Sequence, residues 1–165
     1  MNKKTKEIES LNLHMIKTNK FKTLFFELIF TSKIKKEEIT INNLLIDNLL
    51  FSCKKYPTPK EMNIKKQDLY GAIYNGCSKR LGNLTSISFN MSILNPKYTE
   101  DNMLDESLEF FHEILFNPNI EDNHFNEENF NLIKNNNIIN INMTKENKQY
   151  YANNKLKENI WKSFP

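Results

Sequence analysis

The sequence predicts an α+β domain, an antiparallel sheet with helices packed on one face. Three observations carry this expectation. Segments of two-residue periodicity come in pairs, 11–16 with 24–30 and 72–79 with 85–93, and helical segments follow each pair. The alternation is cleanest from Thr85, where Ile87, Phe89, Met91 and Ile93 point one way and Ser86, Ser88, Asn90 and Ser92 the other. That is the pattern of a half-buried antiparallel strand whose Ser/Asn face meets water. The helical segments also carry enough apolar surface to cover such a sheet.

Residues 1–10 are polar and read as a frayed or weakly helical extension of the domain proper, 11–165. Leu11, Leu13 and Met15 share one face of the first strand, and 17–20 form a polar turn. Leu24, Phe26, Leu28 and Phe30 alternate with Thr23, Phe25, Glu27 and Ile29, so 11–16 and 24–30 are expected to pair as a hairpin. A charged connection, 32–40, leads to the stretch NLLIDNLLFSCKKYPT at 43–58. Ile41, Leu44, Leu45 and Leu49 keep helical spacing there, and Ile46 and Leu50 fill the opposite side. A helix apolar nearly all round belongs in a core.

Pro57 stops that helix, and Thr58, Pro59 and Glu61 spell a capping box that opens a second one reaching towards Leu69. Gly71 breaks it, and Gly82 turns the strand at 72–79 into the strand at 85–93. In 101–116, Leu104, Leu108, Phe111 and Leu115 form a stripe widened by Phe110 and Ile114, with Asp101, Asp105 and Glu106 at the positive end of the helix dipole. Asn117-Pro118 ends it. From 125 to 161 the pattern is helical, interrupted by the Asn run 135–137, with Phe130, Ile133, Asn137 and Ile141 on one face.

Composition narrows the function. The 165 residues fit one domain, and 39% hydrophobic with 26% charged residues is ordinary for a globular chain. The net charge of +3 is small, and the Lys clusters 3–6 and 33–36 sit beside glutamates, which argues against nucleic acid as a partner. No apolar run reaches the roughly 20 residues of a membrane span, so no membrane partner and a cytoplasmic location are expected. Cys53 and Cys77 lack metal spacing and read as reduced thiols without a histidine partner. Gly71, Gly76 and Gly82 form no phosphate-cradling loop. HEILF at 112–116 is half of an HExxH pair, its second histidine replaced by Phe116; His14 and His124 stand apart from it.

The helix and turn at 43–58 resemble the insulinase/pitrilysin-type zinc peptidases. Active members carry an inverted HxxEH motif on this helix, then Met-Leu-Phe and a loop ending in Tyr-Pro. Matching Leu50-Phe51 and Tyr56-Pro57 to those words puts Leu44, Asp47 and Asn48 where His, Glu and His would stand. Leucine cannot ligate, asparagine is a poor zinc ligand, and Asp47 could serve as a base only beside a metal-held water. The family's third ligand, a glutamate on a later helix, falls at about Ile133, with Glu127 and Glu128 one to two turns earlier.

Other segments resemble the family in the same order: LNLHMIKTNKFKT, QDLYGAIYNG, LDESLEFFHEILFNPNIEDNHFNEENF and KQYYANNKLKENIWKSFP. The pattern is most similar to the non-catalytic YmfF-like subgroup, bacterial proteins encoded beside a YmfH-like relative that keeps the zinc motif. The resemblance implies the first domain of the insulinase fold, incomplete at its C-terminus, with no catalytic, metal or cofactor site of its own. It implies a non-catalytic subunit of a heterodimer that binds and processes peptides with the HxxEH-bearing partner. Two other readings stand beside it, a stand-alone peptide-binding or scaffold module and a zinc peptidase with displaced ligands. Strand 85–93 or its neighbour could take an added peptide strand, or that edge is capped by further strands of the same domain. Open sheet edges are expected to make the chain marginally stable or self-associating, with Trp161 exposed or only loosely packed.

Overall fold

The computed structural model describes residues 2–9 and 11–160. Trp161 lies outside them. Strand β1 (Asn2–Ile8) pairs antiparallel with β2 (Leu11–Lys17) as a separate two-stranded sheet. Strand β3 (Thr23–Lys33) leads to helices α1 (Glu38–Phe51) and α2 (Pro59–Asp68). Strands β4 (Ile73–Leu81) and β5 (Leu84–Leu94) follow, then helix α3 (Met103–Phe116). A small hairpin, β6 (Ile120–Glu121) with β7 (His124–Phe125), precedes α4 (Glu127–Glu146) and α5 (Lys148–Ile160). The architecture is α+β, with the main sheet ordered β3-β5-β4 and both pairings antiparallel.

Two expectations about the N-terminus fail together. Residues 2–8 are a strand, not a frayed extension, and β2 pairs with β1 rather than with β3. The expected boundary at residue 10 therefore falls inside one hairpin. Periodicity identified the strands but could not choose their partners. The eleven residues of β3 match the full length of β5, from Thr23 opposite Leu94 to Lys33 opposite Leu84, whereas the seven-residue β2 matches the seven of β1.

The register sorts the sheet into two faces. Leu24 and Phe26 of β3, Phe89, Met91 and Ile93 of β5 and Tyr74 of β4 lie towards the helices and join Ile46, Leu49, Met62, Phe110, Phe111 and Ile114 in the core. The other face is open: Phe25, Ile29 and Ile73 are 62%, 53% and 55% exposed. The Ser/Asn side of β5 belongs to this face, yet Ser86 and Ser88 are buried. They are short side chains on a central strand, shaded by Thr31 and Lys79 beside Ser86 and by Ile29 and Cys77 beside Ser88. The expected solvated polar face is thus only partly so.

Helix α1 begins at Glu38, inside the stretch expected to be a connection. It is not apolar-and-buried all round: Ile46, Asn48 and Leu49 are buried, while Ile41 and Leu45 are exposed. The capping box of α2 forms as written in the sequence, with Thr58 accepting from the Glu61 backbone N–H at 3.3 Å and Glu61 accepting from the Thr58 N–H at 3.0 Å. Gly82, at φ +59°, takes the first position of the two-residue β4–β5 turn, a conformation that glycine adopts without penalty. The Asn run continues α4 without a break, and the helix ends only at Asn147. Among the described residues no helix is long and apolar enough to cross a membrane.

Gly76 sets how closely α1 approaches the sheet. A Cβ there would stand 2.6 Å from Ile46 Cγ2 and 3.1 Å from the Phe89 ring. Gly76→Ala is therefore expected to destabilise the domain by about 1–3 kcal/mol through overpacking, read from urea unfolding. A neutral Gly76→Ala would mean that α1 shifts freely over the sheet.

Candidate functional site

The α1 stretch matched to the zinc motif meets α4 through Asp47. Of the three matched residues, Asn48 is buried, 4% exposed, and turns back on its own helix, donating from Nδ2 to the Leu44 carbonyl at 2.7 Å. Leu44 and Asp47 are half-buried. Asp47 Oδ2 accepts a 2.7 Å hydrogen bond from Asn137 Nδ2, and Ser52 Oγ accepts one at 3.4 Å from Asn129 Nδ2. Asn129, Ile133 and Asn137 are spaced four residues apart, so they share one face of α4. The two bonds run the helices antiparallel, and Ile133, buried between them, falls opposite the middle of the 47–52 stretch.

Of Leu44, Asp47 and Asn48, Asp47 reaches α4 through Asn137, one helical turn from the buried Ile133. Glu127 and Glu128 lie apart, exposed in the first turn of α4. Amides, a hydroxyl, a carboxylate and an aliphatic side chain occupy the seam, a set that can clasp two helices but offers a divalent ion one carboxylate. Among the described residues no three His, Cys, Asp or Glu side chains gather to hold a metal. The Asn pair was missed in the sequence because Asn is abundant throughout this chain; periodicity put only Asn137 on a face with Ile133.

The clasp makes a quantitative expectation. Hydrogen bonds to charged groups contribute about 1.5–3 kcal/mol, and Asp47 is only half-buried, so the lower end applies. A double-mutant cycle of Asp47→Ala and Asn137→Ala should give a coupling of about 1–1.5 kcal/mol by urea unfolding. Additive losses would show that the two side chains do not act together.

The remaining candidates separate. Cys53 is fully buried at the end of the α1–α2 turn, which is held by mutual backbone bonds with Tyr56 and by the Lys54 N–H donating to Asn117. Burial pushes its thiol pKa up, the opposite of an activated nucleophile. Cys77 Sγ sits 3.3 Å from Ser88 Oγ on the open sheet face. His14 pairs with Thr5 across the N-terminal hairpin, His112 lies near the Phe116 ring on the exposed side of α3, and His124 contacts the Asp122 carbonyl. They lie on three different elements.

A groove of about 190 Å³ lies between the α1–α2 turn, α2 and α3, lined by Lys55, Tyr56, Lys65, Glu106, Glu109, Phe110 and Glu113. Its charges answer one another: Lys55 with Glu109 at 3.0 Å and Lys65 with Glu106 at 2.7 Å. The hydrogen bond and charge of Lys65 hold the Glu106 carboxyl below its ordinary pKa. A lowered carboxylate pKa favours folding above the unfolded value, and that contribution fades as pH falls through the lowered one. Glu113 accepts from the Lys55 N–H at 3.2 Å and from Asn117 Nδ2 at 2.7 Å, so the groove ties α3 to the turn.

Only the outer strands of the main sheet offer a free edge. The segment 85–93 lies within β5, whose two edges are both used, so it cannot itself receive an added strand; its neighbours β3 and β4 can. Strand β4 lies directly beneath α1, as the contact of Gly76 with Ile46 shows.

No protein-family model matches the chain, and no curated protein does. The fold is similar to the crystal structure of a conserved protein from Enterococcus faecalis V583, with a TM-score of 0.88 and 29% sequence identity. The match covers 96% of this chain and 38% of that one, so the chain spans less than half the length of that protein.

Proposed function

We propose that this chain is a non-catalytic peptidase homologue of the insulinase/pitrilysin type, a YmfF-like subunit that works in the cytoplasm with a YmfH-like, HxxEH-bearing partner. The observation that carries the reading is the α1–α4 seam. The helix and Tyr-Pro turn of the resemblance lie over the sheet, while Leu44, Asn48 and Ile133 fill the ligand positions with groups that cannot form a zinc site. In this reading the partner supplies zinc, the general base and the water, and this chain contributes a wall of the chamber. The peptide lies along the free edge of β4 beneath α1, held by backbone hydrogen bonds that tolerate many sequences.

Co-expression with an HxxEH homologue tests it. The two chains should purify together, and peptide cleavage should appear for the pair and for neither chain alone. Cleavage by the partner alone at the rate of the pair would remove the role proposed here. A stand-alone peptide-binding module is the second reading, favoured by the same free edge; peptide binding that persists without any zinc-bearing partner would select it. One zinc per purified chain would instead revive a peptidase with displaced ligands.

A further inference from the structure

The N-terminal hairpin is the least anchored part of the molecule. Every residue from Lys3 to Glu9 and from Leu11 to Lys17 is exposed. Two strands alone bury too little to be stable in water. The pairing Lys4–Met15, Lys6–Leu13 and Ile8–Leu11 puts these six side chains on one face. That face is an apolar strip, Ile8 with Leu11, Leu13 and Met15, edged on the β1 side by Lys4 and Lys6 and followed on β2 by Lys17 at the end away from Ile8. Even Leu13, the least exposed of the four, is 37% exposed.

The open face of the main sheet is its counterpart. Glu27 stands between Phe25 and Ile29 on β3, across from Asn90 and Asn75. Among the described strand positions no other carboxylate lies on that face, and its far end carries Lys79 beside Ser86 and Lys33 beside Leu84. An apolar surface with one central carboxylate and cations at one end suits an apolar strip edged by lysines, in one orientation. Lys4 and Lys6 must lie over Glu27, away from Lys33 and Lys79.

We infer that a second copy of this chain is the occupant: the hairpin of each protomer packs through Ile8, Leu11, Leu13 and Met15 on the Phe25–Glu27–Ile29 face of the other. The two contacts are related by a two-fold axis, as in closed dimers. Layers of strands pack face to face at about 10 Å, which places these side chains in contact across the layer. The same chain does not supply both halves, because only residues 18–22 join β2 to β3 and the hairpin leaves its own sheet face uncovered. This surface is distinct from the α1 seam and the β4 edge, so the inference stands or falls apart from the peptidase-homologue reading.

Sedimentation equilibrium on the full chain tests it, with variants chosen on exposed positions that leave the core intact. The wild type should show a monomer–dimer equilibrium. Glu27→Lys and, separately, Leu13→Glu should each weaken the dimer by about tenfold or more. Adding Lys4→Glu and Lys6→Glu to Glu27→Lys should restore it, since the charges are then exchanged rather than lost. A monomer at every soluble concentration overturns the inference, including one whose hairpin amides are protected from exchange by its own sheet. So does a dimer indifferent to these variants, which would point to edge-to-edge pairing of β3 or β4.

Discussion

Phe110→Ala is expected to destabilise the protein by about 3–5 kcal/mol, the range for truncating a buried aromatic. Phe110 is 2% exposed and joins three parts of the fold. Its ring meets Tyr74 of β4 edge-on at 5.0 Å and Tyr56 of the α1–α2 turn edge-on at 5.3 Å. Such pairs add about 0.5–1.5 kcal/mol beyond their buried area. Tyr74 is itself fixed from the same helix, its hydroxyl donating to the Ser107 carbonyl at 3.2 Å, while burial pushes its phenol pKa well above the ordinary value. Alanine would leave a void between the sheet and the turn that neither tyrosine can fill without breaking a bond or losing the other ring. At roughly 2–4 °C per kcal/mol for a domain of this size, the melting temperature should fall by about 6–20 °C. Leu108→Ala, on an exposed part of the same helix, should cost under about 1 kcal/mol. Equal losses from the two variants, measured by thermal unfolding, would contradict this account of the core.

The contrast between Phe110 and Leu108 shows what could be read from the sequence. The stripe of α3 was visible as periodicity, but its centre was not, because periodicity gives a face and only the packed sheet decides which side of the face is deepest. The capping box at Thr58 and the alternation of β5 were readable because each is a local rule with a local cause. Strand partners were not, because pairing depends on length and register between distant segments; hence β2 joined β1 and not β3. The burial of Ser86 and Ser88 follows from β5 being central, a property of the sheet and not of the strand. At the motif, spacing placed Leu44, Asp47 and Asn48 on one helix, and the resemblance placed Ile133 near them. The amide clasp needed three dimensions: periodicity put Asn137 on a face of α4, but no local pattern marked Asn129 or the partners Asp47 and Ser52.

Building an HxxEH motif on α1 alone, by Leu44→His, Asp47→Glu and Asn48→His, is expected to give no chelator-sensitive peptide cleavage. Two imidazoles at i and i+4 share a helical face and can hold zinc loosely, but a catalytic site needs a third protein ligand with a position left for water. In the proposed reading the third place falls at Ile133, which is 5% exposed. The change also removes the Asp47–Asn137 contact and the inward bond of Asn48 to Leu44, so the variant should be less stable than the wild type. Adding Ile133→Glu should make matters worse without metal, because an unpaired carboxylate is then buried between two helices, a change that costs several kcal/mol. Zinc should reverse that loss. If the introduced carboxylate faces the introduced imidazoles, metal binding to the folded state stabilises it by about 2.7 kcal/mol at a hundredfold excess over Kd. Melting with zinc and with chelator separates the cases. A zinc-dependent rise for the four-residue variant and little for the three-residue one would place Ile133 opposite the motif. Cleavage by the three-residue variant would mean that a third ligand comes from elsewhere in the chain, and an absence of any zinc response in both would mean that Ile133 does not face Leu44 and Asn48 closely enough to complete a site.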